Sequence, residues 1–106
     1  MTTTERREQH DHRPTRELEL VLDSPLRRRI LATLAGVDRA DFAFVRDAVE
    51  VSGSVLSRQV AMLSRAGLVT TSRGTIARRR GVWLSLTTRG SRALQDHWAQ
   101  ALRSDA

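Results

Sequence analysis

Residues Val51 to Gln95 read VSGSVLSRQVAMLSRAGLVTTSRGTIARRRGVWLSLTTRGSRALQ. Two periods succeed one another in this stretch. Leu56, Val60 and Leu63 recur at helical spacing behind Ser52, a residue suited to cap a helix, and Gly67 stands where a helix would stop. This predicts a helix over about 53–66. The pattern then changes to period two. Leu68-Val69-Thr70-Thr71-Ser72 reads as a strand, and GTIARRRG (Gly74 to Gly81) as a hairpin loop. Val82-Trp83-Leu84-Ser85-Leu86 reads as the returning strand, with Val82, Leu84 and Leu86 on one face. Thr87 or Thr88 caps a last helix running to about Arg103, with Leu94, Trp98, Ala101 and Leu102 along one side.

The charge of the same stretch is one-sided. It contains no Asp or Glu and eight arginines: Arg58, Arg65, Arg73, Arg78, Arg79, Arg80, Arg89 and Arg92. The rest of the chain holds ten arginines against twelve acids, a net of −2. The overall charge of +6 comes without a single lysine, a bias that a G+C-rich genome also produces. Such a bias adds arginine everywhere but does not remove acids from one segment. The distribution therefore points to a polyanionic partner.

Outward from this stretch, the N-terminal side supplies the remaining helices. Ser24-Pro25 is a helix start, with Pro25 suited to the first helical position. Leu26, Ile30, Leu31 and Leu34 follow at helical spacing, and Gly36 is a stop. Leu18, Leu20, Val21 and Leu22 predict a short helix leading into this one. Asp41 to Phe44 reads either as a short edge strand or as the entry to a helix from about Phe44 to Val49. Val45, Ala48 and Val49 would face inward. Residues 1–15 are almost free of apolar side chains and read as a disordered arm. The expected domain is therefore 16–106.

The order helix, helix, turn, helix, basic hairpin, helix has a physical logic on double-stranded DNA. The second helix of a helix-turn-helix presents its N-terminal residues to base edges in the major groove. At the start of the 53–66 helix, Gly53 and Ser54 permit close approach. Ser57, Arg58 and Gln59 lie off the apolar stripe. Arg pairs bidentately with guanine and Gln with adenine. Arg73, Arg78, Arg79 and Arg80 on the hairpin suit phosphates or a narrow minor groove. The candidate DNA-contacting set is Ser54, Ser57, Arg58, Gln59, Arg73, Arg78, Arg79 and Arg80.

Leu56-Ser57-Arg58, Ala66-Gly67-Leu68-Val69, the Arg78 to Arg80 wing, Leu86-Thr87 and Gly90 together resemble the winged helix-turn-helix regulators of the MarR and ArsR type. The similarity is greatest to the compact subgroup that is little more than the winged helix, and it covers about residues 18–103. It implies a mainly α fold: a three-helix core, a two-stranded β-hairpin wing and a C-terminal dimerisation helix. It also implies a cytoplasmic homodimer on a pseudo-palindromic operator, acting as a repressor. The sequence departs from the pattern at Trp83, on the outer face of the last strand, and at the wing, which has Ala77 and no proline.

In so short a chain the last helix is expected to run past the core, and the apolar 18–22 segment also needs cover. A dimer interface of Leu18, Val21, Leu22, Leu94, Trp98, Ala101 and Leu102 would bury both. The absence of cysteine removes disulfides and thiolate metal sites. His10-Asp11-His12 in the arm and Asp96-His97 on the last helix could together form a metal site between subunits, but the former fall in the expected disordered arm and a lone helix histidine is usually structural or solvated, so no metal or cofactor is expected. No run approaches the ~18 apolar residues that cross a membrane. No nucleophile–base set or phosphate loop follows a recognisable spacing, so no enzyme is expected. Two alternatives remain. One is a winged-helix module that binds protein or RNA. The other is an ArsR-like repressor that senses a metal or small molecule.

Overall fold

The computed structural model describes residues 16–105, except the side chains of Ile76, Arg79 and Asp105. The expected arm, residues 1–15, lies outside the described residues. Five helices and three short strands follow in the order α1 (Arg16–Leu22), α2 (Pro25–Ala35), β1 (Ala40–Asp41), α3 (Phe42–Val49), α4 (Gly53–Arg65), β2 (Val69–Ile76), β3 (Arg79–Leu86) and α5 (Thr88–Asp105).

The helix starts are set by local side chains. Ser24 Oγ accepts from Arg27 N at 3.2 Å, with Pro25 in the first turn of α2. Asp41 Oδ1 accepts from Ala43 N at 3.2 Å, so α3 starts at Phe42 rather than Phe44. Asp41 also ends β1, so of the 41–44 segment only Asp41 is strand and the rest is the entry to the helix. Ser52 Oγ accepts from Val55 N at 3.2 Å and opens α4. Each bond satisfies an N–H that the helix itself leaves free.

The end of α4 is as well defined. Gly67 adopts φ +80°, its N–H bonds Ser64 O at 3.0 Å, and Leu68 N bonds Leu63 O at 2.9 Å. This pair of bonds closes the helix through a left-handed residue, and the fully buried Leu63 and Leu68 supply the accompanying apolar contact. The chain thus turns directly from α4 into β2.

The sheet is antiparallel in the order β1-β3-β2. Ala40 pairs with Leu84 and Asp41 with Trp83, while β2 and β3 pair from Val69↔Leu86 to Ile76↔Arg79. Directly opposed residues share a face. Val69, Leu84 and Leu86 thus lie towards the helices, with Leu84 fully buried and Val82 and Leu86 packed against the core. The core joins Leu22, Ile30, Leu31 and Leu34 to Val45, Val49, Leu56, Val60, Leu63, Leu68, Val69, Leu84 and Leu94. Helix α2 is its centre and touches α1, α3, β3 and α5.

Three sequence expectations need correction here. Ala48 is exposed; Val45 and Val49 are the buried residues of α3, with Phe42 packed against the core beside them. The 74–81 segment is not a loop. The strands continue through it, Gly74 faces Gly81 across the ladder, and only Ala77 and Arg78 form the turn. Arg79 and Arg80 therefore belong to β3 rather than to a loop tip. A ribbon projecting into solvent needs no apolar alternation, so its sequence hides its strands. Trp83 lies on the sheet face opposite the core but is only partly exposed, with its indole N–H 3.5 Å from Gly74 O.

Candidate nucleic-acid interface

The outer face of α4 is built from small and polar residues. Ser54, Ser57, Arg58, Ala61 and Arg65 are exposed, at spacings of three, four, seven and eleven from Ser54. Leu56, Val60 and Leu63 hold the opposite face in the core, so the outer face cannot rotate away from solvent. The first turn presents Gly53 and Ser54, and the Oγ atoms of Ser52 and Ser54 lie 3.2 Å apart.

The wing projects beside this helix. From Val82 to Arg78 the ribbon advances about 13 Å at the usual rise per residue. Arg73 opposes Val82 and Thr75 opposes Arg80, which places Arg73 and Arg80 on the face shared with the core residues of the sheet. That face packs on α4 through β2. Arg78 sits in the turn, and Arg79 pairs with Ile76 across the last rung of the ladder. Ala77 and Arg78 have φ of 52° and 66°. Such a turn matches the twist of the strands but suits Asn-Gly far better than Ala-Arg, so its two residues carry a conformational cost of about 1 kcal/mol each.

Two groups stand out among the arginines of the described residues. Arg27, Arg28, Arg29 and Arg89 donate to backbone carbonyls and hold elements together. Arg27 Nε donates to Val21 O at 2.7 Å and its Nη2 to Leu20 O at 3.2 Å. Arg28 donates to Leu22 O, Arg29 to Val49 O at 2.9 Å, and Arg89 to Ala66 O at 3.1 Å. By contrast, among the described residues Arg58, Arg73, Arg78 and Arg80 are exposed and make no hydrogen bond or ion pair. With Arg65, also exposed and unpaired at the end of α4, five guanidiniums therefore present donors to solvent on α4 and the wing, where no acid stands in sequence.

Gln59 departs from its expected role. It is half-buried, and its Oε1 accepts from Arg27 Nη1 at 3.0 Å. Arg27 Nη1 also lies 3.7 Å from Met62 Sδ. Gln59 thus ties α4 to α2, and its carbonyl oxygen is committed within the chain. Arg27 was not singled out by the sequence, because its partners lie 32 and 35 positions away.

The seven residues expected at a dimer interface are divided. Leu22 and Leu94 are buried in the chain's own core, with Leu18 and Val21 packed against it. Ala101 is exposed, and so are Trp98 at 53% and Leu102 at 72%, joined by Leu20 of α1 at 55%. His97 contacts the Trp98 ring edge-on at 6.5 Å between centroids. The described residues hold no cluster of three metal-ligating side chains, and His10 and His12 lie outside them. None of the described helices is long and apolar enough to cross a membrane.

This geometry defines a winged helix, and sequence comparison agrees. Residues 26–104 match the family model described as winged helix DNA-binding domain, so the chain belongs to that family. Its fold is that of the MarR-type transcriptional regulators. A MarR-family regulator from Silicibacter pomeroyi superposes with a TM-score of 0.67 at 25% identity, over 84% of this chain and 59% of that one. YusO of Bacillus subtilis gives 0.69 at 22% identity, over 84% and 64%. A mutant form of ZitR of Lactococcus lactis, in complex with DNA, gives 0.61 at 21% identity, over 76% and 53%. The chain thus spans between about half and two-thirds of these three proteins. No curated protein matches it by sequence.

Proposed function

We propose that this chain is a sequence-specific, double-stranded DNA-binding repressor that acts as a cytoplasmic homodimer. Helix α4 enters the major groove, and the wing tracks the backbone or an adjacent minor groove. The observation that carries this reading is the run of unpaired arginines on α4 and the wing: Arg58 and Arg65 on the outer face of α4 and Arg73, Arg78 and Arg80 on the ribbon. These guanidiniums have no polar partner within the described chain, yet each supplies what a phosphate or a guanine edge accepts. Ser54 and Ser57 complete the base-facing surface, and Arg79 adds charge to the wing. A ligand is not required by this mechanism, and no enzymatic step is assigned.

The second copy is expected on the exposed end of α5 and on α1. Trp98 and Leu102 are too apolar to be left in water at that exposure, and a two-fold contact through them would cover both copies at once. The operator is then pseudo-palindromic, with half-site centres about 10–10.5 bp apart or a multiple of that.

The test is a binding titration against a duplex selected from a random library and against a scrambled duplex, at several salt concentrations. Arg58→Ala should lower discrimination between the two by about 1–3 kcal/mol. Arg80→Ala should weaken both alike and reduce the salt slope by about 0.9. Equal binding of selected and scrambled duplexes at every salt concentration would refute the sequence-specific reading. Retention of an acidic protein or a structured RNA, with no DNA bound, would favour an interaction module instead.

A further inference from the structure

We infer that Val55 reads thymine: its side chain seats against the C5-methyl group of one dA·dT pair in each half-site. This rests on the proposed placement of α4 in the major groove. Val55 is the third residue of α4 and is 37% exposed. Its neighbours Val51 and Leu56 join the apolar core, whereas Val55 does not. Core packing therefore does not account for a valine here. Nor does the helix account for it. A β-branched residue in a solvent-facing turn is a poorer helix former than Ala, Arg or Gln, because its χ1 is restricted.

That restriction becomes an advantage in a groove. A side chain already held in one rotamer loses little freedom when a partner covers it. Val55 lies one turn before Arg58 and Gln59, on the side where Gln59 is held by Arg27. The flank is therefore fixed, and Gln59 is not free to swing over Val55. Gly53 and Ser54 precede it and leave room for the groove floor to approach. The surroundings are otherwise polar: Ser54, Ser57 and Arg58 are all exposed. A phosphate offers nothing to an isopropyl group. In the major groove the thymine methyl is the apolar feature of the base edges, and cytosine lacks it. Arg58 and Val55, side by side, would thus demand a guanine and a thymine at nearby positions.

The experiment uses the full chain and a duplex selected from a random library. Each thymine of one half-site is replaced in turn by deoxyuridine, which removes the methyl and leaves the pairing intact. One position should weaken binding by about fourfold, the value of one buried apolar carbon. With Val55→Ala the thymine and deoxyuridine duplexes should bind alike at that position, while the discrimination due to Arg58 persists and the melting temperature is not lowered. Val55→Thr, which keeps the branch and one methyl, should retain part of the preference. The inference is overturned if no thymine shows a methyl effect, or if the effect survives Val55→Ala. If no duplex is enriched over the random pool, the operator reading itself fails and takes this one with it.

Discussion

Gly90 is buried where α5 leaves the sheet, and adding one methyl group there should remove a sizeable share of the protein's stability. A Cβ at this position would stand 2.2 Å from Leu68 O and 2.8 Å from Leu86 Cδ1, whereas ordinary contact begins at 3.4 Å. The backbone would have to move by about 1 Å, and the obstructing atom is a carbonyl already engaged. Leu68 O accepts from Thr87 N at 3.0 Å, and Gly90 N donates to Thr87 Oγ1 at 2.9 Å. Overpacking of this kind costs about 1–3 kcal/mol, and loss of one of these bonds adds about 1 kcal/mol. Gly90→Ala should therefore lose about 2–4 kcal/mol. A chain of this size has on the order of 5–15 kcal/mol in all. Thermal unfolding followed by circular dichroism, at fixed protein concentration, should show a fall of about 8 °C or more. Gly36→Ala is the control. Nothing lies within 4 Å of its Cβ position, and φ is −93°, so its melting temperature should hardly move. If Gly90→Ala melts within about 3 °C of the parent, the close approach of α5 to Leu68 is not the constraint described.

Three further outcomes follow from named contacts. Thr87→Val removes the hydroxyl that donates to Gly67 O at 2.7 Å and caps α5. It should cost about 1–2 kcal/mol in urea unfolding, with DNA specificity unchanged. Arg27→Met keeps the aliphatic stem but loses the bonds to Val21, Leu20 and Gln59. It should cost about 2 kcal/mol and, unlike Thr87→Val, should also blur base discrimination because Gln59 is released. The double variant Trp98→Glu/Leu102→Glu should sediment as a monomer at concentrations where the parent is dimeric, with its melting temperature nearly unchanged when extrapolated to low concentration.

Much of this fold could be read from single residues because local chemistry sets its boundaries. Ser24-Pro25, Ser52 and Gly67 each govern an element end through bonds within five residues, and sequence spacing captures such bonds. The wing was less legible. Its strands extend to Ile76 and Arg79 because backbone ladders need no particular side chain, and a ribbon exposed on both faces shows no alternation. Long-range polar contacts were illegible altogether. Arg27, Arg28 and Arg29 form an undifferentiated run in the sequence, yet each reaches a different carbonyl. Gln59 looked available for adenine because nothing near it in sequence reveals the guanidinium that claims it. Val55 was passed over because an apolar residue beside a core stripe looks like part of it until its exposure is known.

The Arg27 bridge bears on how such a protein changes over generations. One guanidinium joins the carbonyl ends of α1 to a side chain on the helix proposed to read DNA. Substitutions in α1 that shift those carbonyls would alter how firmly Gln59 is held. A genetic selection for relaxed operator preference should therefore recover changes around Leu20, Val21 and Arg27 as well as in α4. Second-site suppressors of a damaged Arg27 should gather at Gln59 and Met62. The heritable determinants of specificity would then extend well behind the surface that meets the bases.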